Sequence, residues 1–397
     1  MSTKIKASLL AIAVSAASGS ALAVEAMSMK IADGLEFTPT LKVTESYDDN
    51  FREVENNEES SWITRISPTL AMTAYGRKSE YVLAYTADSD TFHSSHKDNN
   101  TDHHLTGDAG FRFNARNQLV LNAGYHKVEE TTSATPGVQG DKYNSKNIGG
   151  VYTYGVETAR AQVDFGADYK ELRYDNTGLR PNGTRLNSEK ERDATALRST
   201  LYYRLGAKTR ALAELRHTDY SYVSAKSLDA TNLAFLGGLT WDATAKTTGT
   251  VKFGREKKKF DGDANDDQSG GMWEAGITWQ PRTYSTFGLK ARRALDEGEN
   301  GASAIQATST TLDWKHYWLD RVYSIASYTR SEQDYIDDSN DRLDKTEIFG
   351  LGLNYEMRRW LDIGIGYKYA ENDSDARVEN NESYERNIYS ISFTASL

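Results

Sequence analysis

The chain has 397 residues, no cysteine and a formal net charge of −10 at pH 7. Without cysteine it has neither a disulfide nor a lipidated cysteine, so its stability must come from a hydrogen-bonded framework. The acidic balance excludes nucleic-acid binding by counterion release. With 24 Tyr, 7 Trp, 12 Phe and only 5 Pro, the composition is typical of long strands that carry aromatic side chains at a membrane interface.

The first 23 residues have the pattern of a secretory signal peptide. Lys4 and Lys6 precede a short apolar core over residues 9–17, and Ala21-Leu22-Ala23 is a small-x-small cleavage site. No later apolar run approaches the length of a membrane helix. We therefore predict a cleaved signal peptide over 1–23, a short periplasmic segment over 24–34, and one domain over 35–397.

The chain after residue 34 repeats one theme, an alternating segment followed by a break. Residues 161–170 place apolar and polar side chains on opposite faces of a strand without interruption. The same alternation recurs over 35–43, 67–72, 119–126, 273–280, 349–355, 361–369 and 389–397. Alternation sustained over ten or more residues is typical of a strand tilted across a membrane, whereas a soluble sandwich strand is shorter.

The breaks between these segments are alternately long and short. Long polar breaks lie near 48–60, 93–101, 130–143, 174–188, 223–229, 258–270, 295–302, 335–343 and 372–383. Short breaks lie near Gly76-Arg77, Ala115-Arg116, Gly155-Val156, Gly206-Ala207, Asp242-Ala243, Pro281-Arg282, Trp318-Leu319 and Arg358-Arg359. Outer-membrane barrels have short periplasmic turns and long extracellular loops. We therefore predict an all-β, antiparallel, up-and-down barrel of about eighteen strands in the outer membrane of a Gram-negative bacterium.

Sites of chemistry are few in this sequence. A barrel hydrolase would need a Ser–His or Asp–His arrangement, and no G-x-S-x-G motif accompanies the seven histidines. His93, His96, His103 and His104 cluster near one loop, where they could bind a transition metal or be solvated. Acidic loops at 48–59 and 261–267 could hold calcium or meet lipopolysaccharide through divalent cations. We predict no catalytic residue, no cofactor and no resident metal.

The polar faces of the strands are predicted to line an aqueous lumen, because eighteen strands enclose more space than side chains can fill. Basic side chains on these faces would favour anionic solutes, or would pair with acids on neighbouring strands. The acids are Glu36, Asp164, Asp168, Glu214 and Glu274. The lumen-facing transport candidates are Lys42, Arg65, Arg160, Lys170, Arg198, Arg204, Arg216, Lys252, Lys290 and Arg292.

The first two predicted strands carry a recognisable motif. Tyr47-Asp48-Asp49-Asn50 ends the first strand, and the strand Trp62-Ile63-Thr64-Arg65-Ile66-Ser67-Pro68-Thr69-Leu70 follows a loop. This arrangement resembles the opening of the putative β-barrel porin 2 family. The resemblance implies a barrel associated with exopolysaccharide or capsule gene clusters. It assigns no role to the motif residues, which could cap the first strand through local side-chain hydrogen bonds.

Two functions remain open from the sequence. The first is a conduit that secretes an exopolysaccharide or capsular polysaccharide, as the family resemblance implies. It would work with periplasmic and inner-membrane export machinery, with the polymer as its ligand. The alternative is a passive uptake porin for oligosaccharides or small anionic solutes. Either barrel would contact outer-membrane lipids and lipopolysaccharide, and would be inserted by the barrel assembly machinery. A loop could fold inward as a plug, and the segment 130–143 is one candidate.

Overall fold

The computed structural model describes residues 28–131, 140–175, 187–244, 246–298, 302–337, 342–375 and 383–396. The predicted signal peptide lies outside these ranges. The strands are β1 Met29–Ala32, β2 Leu35–Asp48, β3 Ser61–Tyr75, β4 Ser79–Phe92, β5 Asn100–Arg112, β6 Asn117–Glu129, β7 Lys142–Tyr154, β8 Ala161–Tyr174, β9 Arg192–Arg204, β10 Thr209–Tyr222, β11 Ala230–Thr244, β12 Thr247–Phe260, β13 Gln268–Arg282, β14 Ser285–Glu297, β15 Ala304–Leu319, β16 Val322–Ile336, β17 Leu343–Arg358, β18 Leu361–Ser374 and β19 Tyr384–Ser396. Two short 3₁₀ turns, His96–Asp98 and Lys226–Leu228, lie in loops.

Strands β2 to β19 form one closed antiparallel barrel of eighteen strands, as the sequence predicts. Every strand pairs with its neighbours in the chain, and β19 closes the ring by pairing with β2. The short β1, inside the predicted periplasmic segment, pairs with β2 as an additional strand. Among the described residues, no helix is long and apolar enough to cross a membrane.

The strands are long because their side chains alternate between two different surroundings. Large apolar side chains on the outer face are exposed in the protein without lipid, for example Ile148, Phe253 and Ile365. Aromatic side chains cluster toward both ends of this face, with Trp62 and Tyr389 near the long loops and Tyr284 and Trp318 near the short turns. An apolar belt between two aromatic girdles is the surface that a bilayer covers.

Three of the short turns lie two or three residues later in the chain than the sequence predicts. Asp242, Pro281 and Trp318 belong to strands β11, β13 and β15 rather than to turns. In each case the antiparallel ladder continues past the residue through a register shift, which marks a β-bulge. A bulge interrupts the apolar alternation in the sequence. The sequence therefore predicts the end of the strand two or three residues too early.

Candidate functional site

The lumen wall is defined by the cross-strand register. In β8, for example, Phe165 and Tyr169 face outward, so Lys170 and its even-numbered neighbours face inward. Nine of the ten candidate cations occupy inward-facing positions by this criterion: Lys42, Arg65, Lys170, Arg198, Arg204, Arg216, Lys252, Lys290 and Arg292. The inner wall is therefore polar, although its cations differ in their partners.

Arg160 is the exception to the predicted placement. It lies in the turn before β8, and its Nε donates a hydrogen bond of 2.8 Å to the hydroxyl of Tyr203. Tyr203 faces outward on β9 and is 40% exposed, so Arg160 lies against the outer surface at the periplasmic rim. The strand alternation that predicts an inward side chain does not extend into the turn. Arg204 faces inward but donates hydrogen bonds to carbonyl oxygens of Thr158, Gly206 and Ala207, so it stabilises two turns.

Four of the remaining cations form ion pairs along the wall. Arg65 pairs with Asp90 on β4 at 2.5 Å, and Arg292 pairs with Asp296 on its own strand at 2.7 Å. Arg216 makes two hydrogen bonds with Glu274, at 2.5 and 2.9 Å, and also pairs with Glu214. Lys252 joins the same network, with its Nζ 2.7 Å from Glu274. These charges are compensated within the wall.

The other four cations make no ion pair with any part of the chain that the structure describes. They are Lys42, Lys170, Arg198 and Lys290. Lys170, Arg198 and Lys290 are exposed although they face inward, and Lys42 is half-buried. An inward side chain can be exposed only where the lumen is open, so β8, β9 and the middle of β14 border a water-accessible path. The guanidinium of Arg198 lies along the wall beside Gly166, which has no side chain to displace it.

The next part of the wall, β10 to β13, is covered near the extracellular rim. The ladder between β13 and β14 stops at the pair Trp273–Arg293, while β14 and β15 stay paired up to Glu297 and Ala304. The described ends of this pair, residues 294–298 and 302–307, lean into the lumen and are together called here the inward hairpin. The face of the inward hairpin that continues the outer face of β14 and β15 packs on the inner face of β13. This packing is seen at Gly270, where an added Cβ would lie 2.8 Å from Gln306 Oε1 and 3.9 Å from Leu295 Cγ.

Hydrogen bonds anchor the inward hairpin across the barrel wall. The Tyr222 hydroxyl on β10 donates to Glu297 Oε2 at 2.5 Å, and Lys258 Nζ on β12 lies 2.9 Å from Glu297 Oε1. Leu295 donates its backbone N–H to Glu256 Oε1 at 2.7 Å. Tyr222 and Glu297 lie on strands four positions apart, which is about 19 Å along an unbent sheet. Only an inward lean of β14 brings them into contact.

The anchoring side chains are buried, in contrast with the open wall at β8 and β9. Tyr222 is 0% and Lys258 is 1% exposed, although both face the lumen. Ala234, Leu236, Met272 and Ala294 form a small apolar cluster beneath the inward hairpin. The inward hairpin thus narrows the extracellular mouth on the β10–β13 side, whereas the inner wall at β8 and β9 stays open. The loop 130–143, the plug candidate from the sequence, lies mostly outside the described residues.

The histidines do not assemble into the predicted loop cluster. His103 and His104 are adjacent in β5, so their side chains point to opposite faces of the sheet. His103 Nδ1 lies 2.8 Å from the hydroxyl of Tyr85 on the outer face, and His104 lies beside His126 on the inner face. Among the described residues, no group of three metal-ligating side chains could hold an ion.

The motif Tyr47-Asp48-Asp49-Asn50 joins the first and last barrel strands. Asp48 is 1% exposed and accepts hydrogen bonds from Arg386 Nε at 2.9 and 3.0 Å. Asp49 accepts two hydrogen bonds from Asn387, and the Asn50 amide donates to the carbonyl oxygen of Glu385 at 2.8 Å. The local cap predicted from the sequence is also present, because the Asn50 N–H donates to Asp48 Oδ1 at 3.1 Å. Residues 48–50 and 385–387 are called here the seam clasp.

A large groove lies on the outer surface. It has a volume of about 870 Å³ and is lined by outward side chains that include Leu121, Ile148, Phe165, Leu197 and Leu215. Small residues at Gly150, Ala167 and Ser199 form its floor. Because this face lies in the apolar belt, the groove is part of the lipid-facing surface rather than of the solute path.

Fold and inner wall together define a porin-like barrel of the outer membrane. The chain belongs to the family described as Putative beta-barrel porin 2, whose family model matches residues 36–396. A comparison with curated proteins finds no match.

Solved structures share the fold. OccK2 (OpdF) of Pseudomonas aeruginosa, solved in complex with glucuronate, has a TM-score of 0.51 at 10% identity and covers 93% of this chain and 100% of that chain. OccAB4 of Acinetobacter baumannii has a TM-score of 0.48 at 11% identity, covering 94% and 100%. OpdK of Pseudomonas aeruginosa, solved with vanillate, has a TM-score of 0.47 at 10% identity, covering 91% and 99%. At 10% identity, the likeness to OccK2 shows a shared fold alone.

Proposed function

We propose that the protein is a passive channel for small anionic solutes of the size of sugar acids. The observation that carries the proposal is the exposed, unpaired Lys170 and Arg198 on the open inner wall, within the described residues. Cations that line a pore raise the local concentration of anions and lower the barrier for their passage. Asp164 and Asp168 share this wall, so we expect a moderate rather than an exclusive preference for anions.

The inward hairpin supports a size limit for this channel. It covers the inner wall of β10 to β13 near the rim, where Leu236 and Tyr222 are fully buried. Near the rim a solute therefore passes beside the open wall at β8 and β9, close to Lys170 and Arg198. A narrow path keeps the solute close to these charges. Electrostatic attraction is stronger at short distance and where little water intervenes than it is in bulk water.

The alternative put forward in the sequence analysis, an uptake porin, fits the porin family and fold better than polysaccharide export does. OccK2, with which this chain shares its fold, was solved with glucuronate, and we take that sugar acid as the first test solute. No contact or charge among the described residues favours a polymer over a small solute, so export stays a prediction. A clean deletion strain tests it, because export requires that extracellular polysaccharide disappear and return on complementation.

The proposed interactions with lipids follow from the same geometry. The apolar belt and its aromatic girdles would contact outer-membrane lipids, and the acidic loops would meet lipopolysaccharide through divalent cations. Within the first loop and the 261–267 loop, some acids already have protein partners: Arg52 pairs with Glu59 at 2.8 Å, and Lys257 pairs with Asp267 at 2.9 Å.

Liposome swelling tests the channel proposal. Vesicles that contain the full chain should swell faster in glucuronate than in glucosamine, a cationic sugar of similar size. The double variant K170Q/R198Q should lose this preference because it removes both exposed cations from the path. The matched control R255Q/K259Q removes the same charge from the outer face of β12, where Arg255 and Lys259 are exposed, and should swell like the wild type. Equal rates for glucuronate and glucosamine in the wild type would contradict the proposal.

A further inference from the structure

A pair of histidines lies on the open inner wall in a geometry that the channel proposal does not use. His104 on β5 and His126 on β6 are directly opposite each other in the antiparallel register, and both face the lumen. Their Nδ1 atoms are 3.0 Å apart. Each pyridine-type imidazole nitrogen is a good ligand for copper, nickel or zinc.

The 3.0 Å contact is a hydrogen bond between the two rings in the metal-free chain, and once its proton is displaced the same separation matches two ligands of a single ion. Metal–imidazole bonds of about 2.0–2.1 Å at a right angle place the two nitrogens about 2.9 Å apart. A tetrahedral angle would require about 3.3–3.4 Å with the same bond lengths. The pair is therefore closer to the geometry of square-planar or octahedral ions, such as Cu²⁺ and Ni²⁺, than to that of tetrahedral Zn²⁺.

The surroundings orient both rings for binding through Nδ1. His104 Nε2 lies 3.7 Å from Asp88 Oδ2 on β4, so a carboxylate lies near the first ligand, beyond hydrogen-bond distance. A small approach of the two side chains would let Asp88 accept from Nε2, and such a carboxylate fixes the tautomer of a histidine and strengthens it as a ligand. For His126, the far nitrogen Nε2 and Asn147 Oδ1 both lie within 3 Å of the point where a Cβ on Gly124 would stand. Gly124 thus leaves the space in which the His126 ring and the Asn147 amide lie side by side.

We propose that His104 and His126 bind a divalent transition-metal ion, with Cu²⁺ or Ni²⁺ preferred, in the lumen wall. The chain contributes two nitrogen ligands, and water or a carboxylate solute completes the coordination from the lumen side. The His104 side chain is 23% and the Asp88 side chain 26% exposed, so an ion can reach the pair from the lumen. A site with two protein ligands exchanges its ion readily, and a bound ion would add positive charge and bulk to the path.

Copper electron paramagnetic resonance on the purified full chain tests the site. We expect one Cu²⁺ per chain with hyperfine structure from two equatorial nitrogens. The variants H104N and H126N should each weaken Cu²⁺ binding by at least about tenfold, and D88N by a smaller factor, since it removes a nearby carboxylate rather than a ligand. The control H103N changes the neighbouring histidine on the outer face and should bind like the wild type.

Channel conductance gives a second readout that separates this site from loop histidines. Micromolar NiCl₂ should reduce the conductance of the wild type, EDTA should restore it, and H104N should be unaffected. Heat-modifiable gel migration shows whether each variant is folded, and H104N alone suffices if H126N is not. The proposal is overturned if H104N binds Cu²⁺ with wild-type affinity, or if binding is lost in H93N or H96N instead. The swelling assay tests the anion channel, and Cu²⁺ binding tests the histidine site. Either proposal can therefore fail while the other holds.

Discussion

Two places on the extracellular rim, the seam between β19 and β2 and the junction between β13 and β14, end in opposite ways. At the seam, the regular ladder ends at Ile388–Asp48, but a backbone hydrogen bond from the Asp49 N–H to the Asn387 carbonyl oxygen and the side chains of the seam clasp carry the contact onward. At the junction, pairing stops at Trp273–Arg293, and the next residues of β13 include Gly270 and Gly271, which offer no side chain. The comparison shows that side chains beyond the last backbone pair decide whether the rim stays closed or opens inward.

The two regions also differ in what their buried charges do. At the seam, Arg386 holds Asp48 and Glu53 and thereby ties two strands whose residues are more than 300 positions apart. At the junction, Lys258 and Tyr222 hold Glu297 and thereby fix the inward hairpin against the wall. The first set of contacts maintains the barrel, and the second shapes the path through it.

The largest effect is expected at the seam. The variant R386M leaves the carboxylate of Asp48 buried without its cation, which should lower the free energy of unfolding by about 3–5 kcal/mol. Urea unfolding followed by tryptophan fluorescence in detergent measures this loss. The control R255M, on the exposed outer face, should stay within about 0.5 kcal/mol of the wild type. A loss at Arg386 no greater than in the control would show that the seam clasp does not hold the barrel closed.

A smaller loss of stability, but a change in the channel, is expected at the junction. The variant K258M removes one anchor of Glu297, and the inward hairpin can then move so that Glu297 reaches water. We expect a loss of about 1–2 kcal/mol together with a higher single-channel conductance, because the mouth widens. Planar-bilayer recording on K258M and R386M compares the two regions directly. Unchanged conductance in K258M would place the inward hairpin outside the solute path.

The smallest effect is expected inside the inward hairpin and has the opposite sign. Gln306 Nε2 is buried without a hydrogen-bond partner among the described residues. Replacing an unsatisfied buried amide by an apolar side chain of similar size is neutral or stabilising, so Q306L should gain about 0–1 kcal/mol. It should also reduce spontaneous changes in conductance, since the inward hairpin is held more firmly. Destabilisation of Q306L in urea would mean that the amide has a partner that the packing does not show.

Much of the fold follows from the sequence because a barrel repeats one simple rule. Alternation defines each strand and its inner face, and the order of long and short breaks defines the strand number. The sequence therefore predicts the inward positions of Lys170 and Arg198 without any tertiary information. It places Arg160 wrongly because that residue lies in a turn, where strand alternation no longer determines the direction of the side chain.

The contacts between distant residues could not be predicted in this way. Asp48 and Arg386 meet only because the ring closes, and no local pattern records which strands are neighbours at the seam. The inward hairpin has a weak signal, because Ala294 and Leu295 are consecutive apolar residues where alternation predicts one polar side chain. The sequence predicts a loop over 295–302, whereas β14 continues to Glu297. The pairing of His104 with His126 cannot be predicted either, since it depends on the register between β5 and β6.

The reversal potential of the wild-type channel in a planar bilayer under a gradient of KCl tests the central claim most directly. It reports whether chloride or potassium crosses the lumen more easily, without any assumption about the natural solute. A lumen whose open wall carries Lys170 and Arg198 should give a potential of the sign set by chloride, and K170Q/R198Q should shift it toward the potassium value. A wild-type potential of the sign set by potassium, unchanged in that variant, would contradict the account.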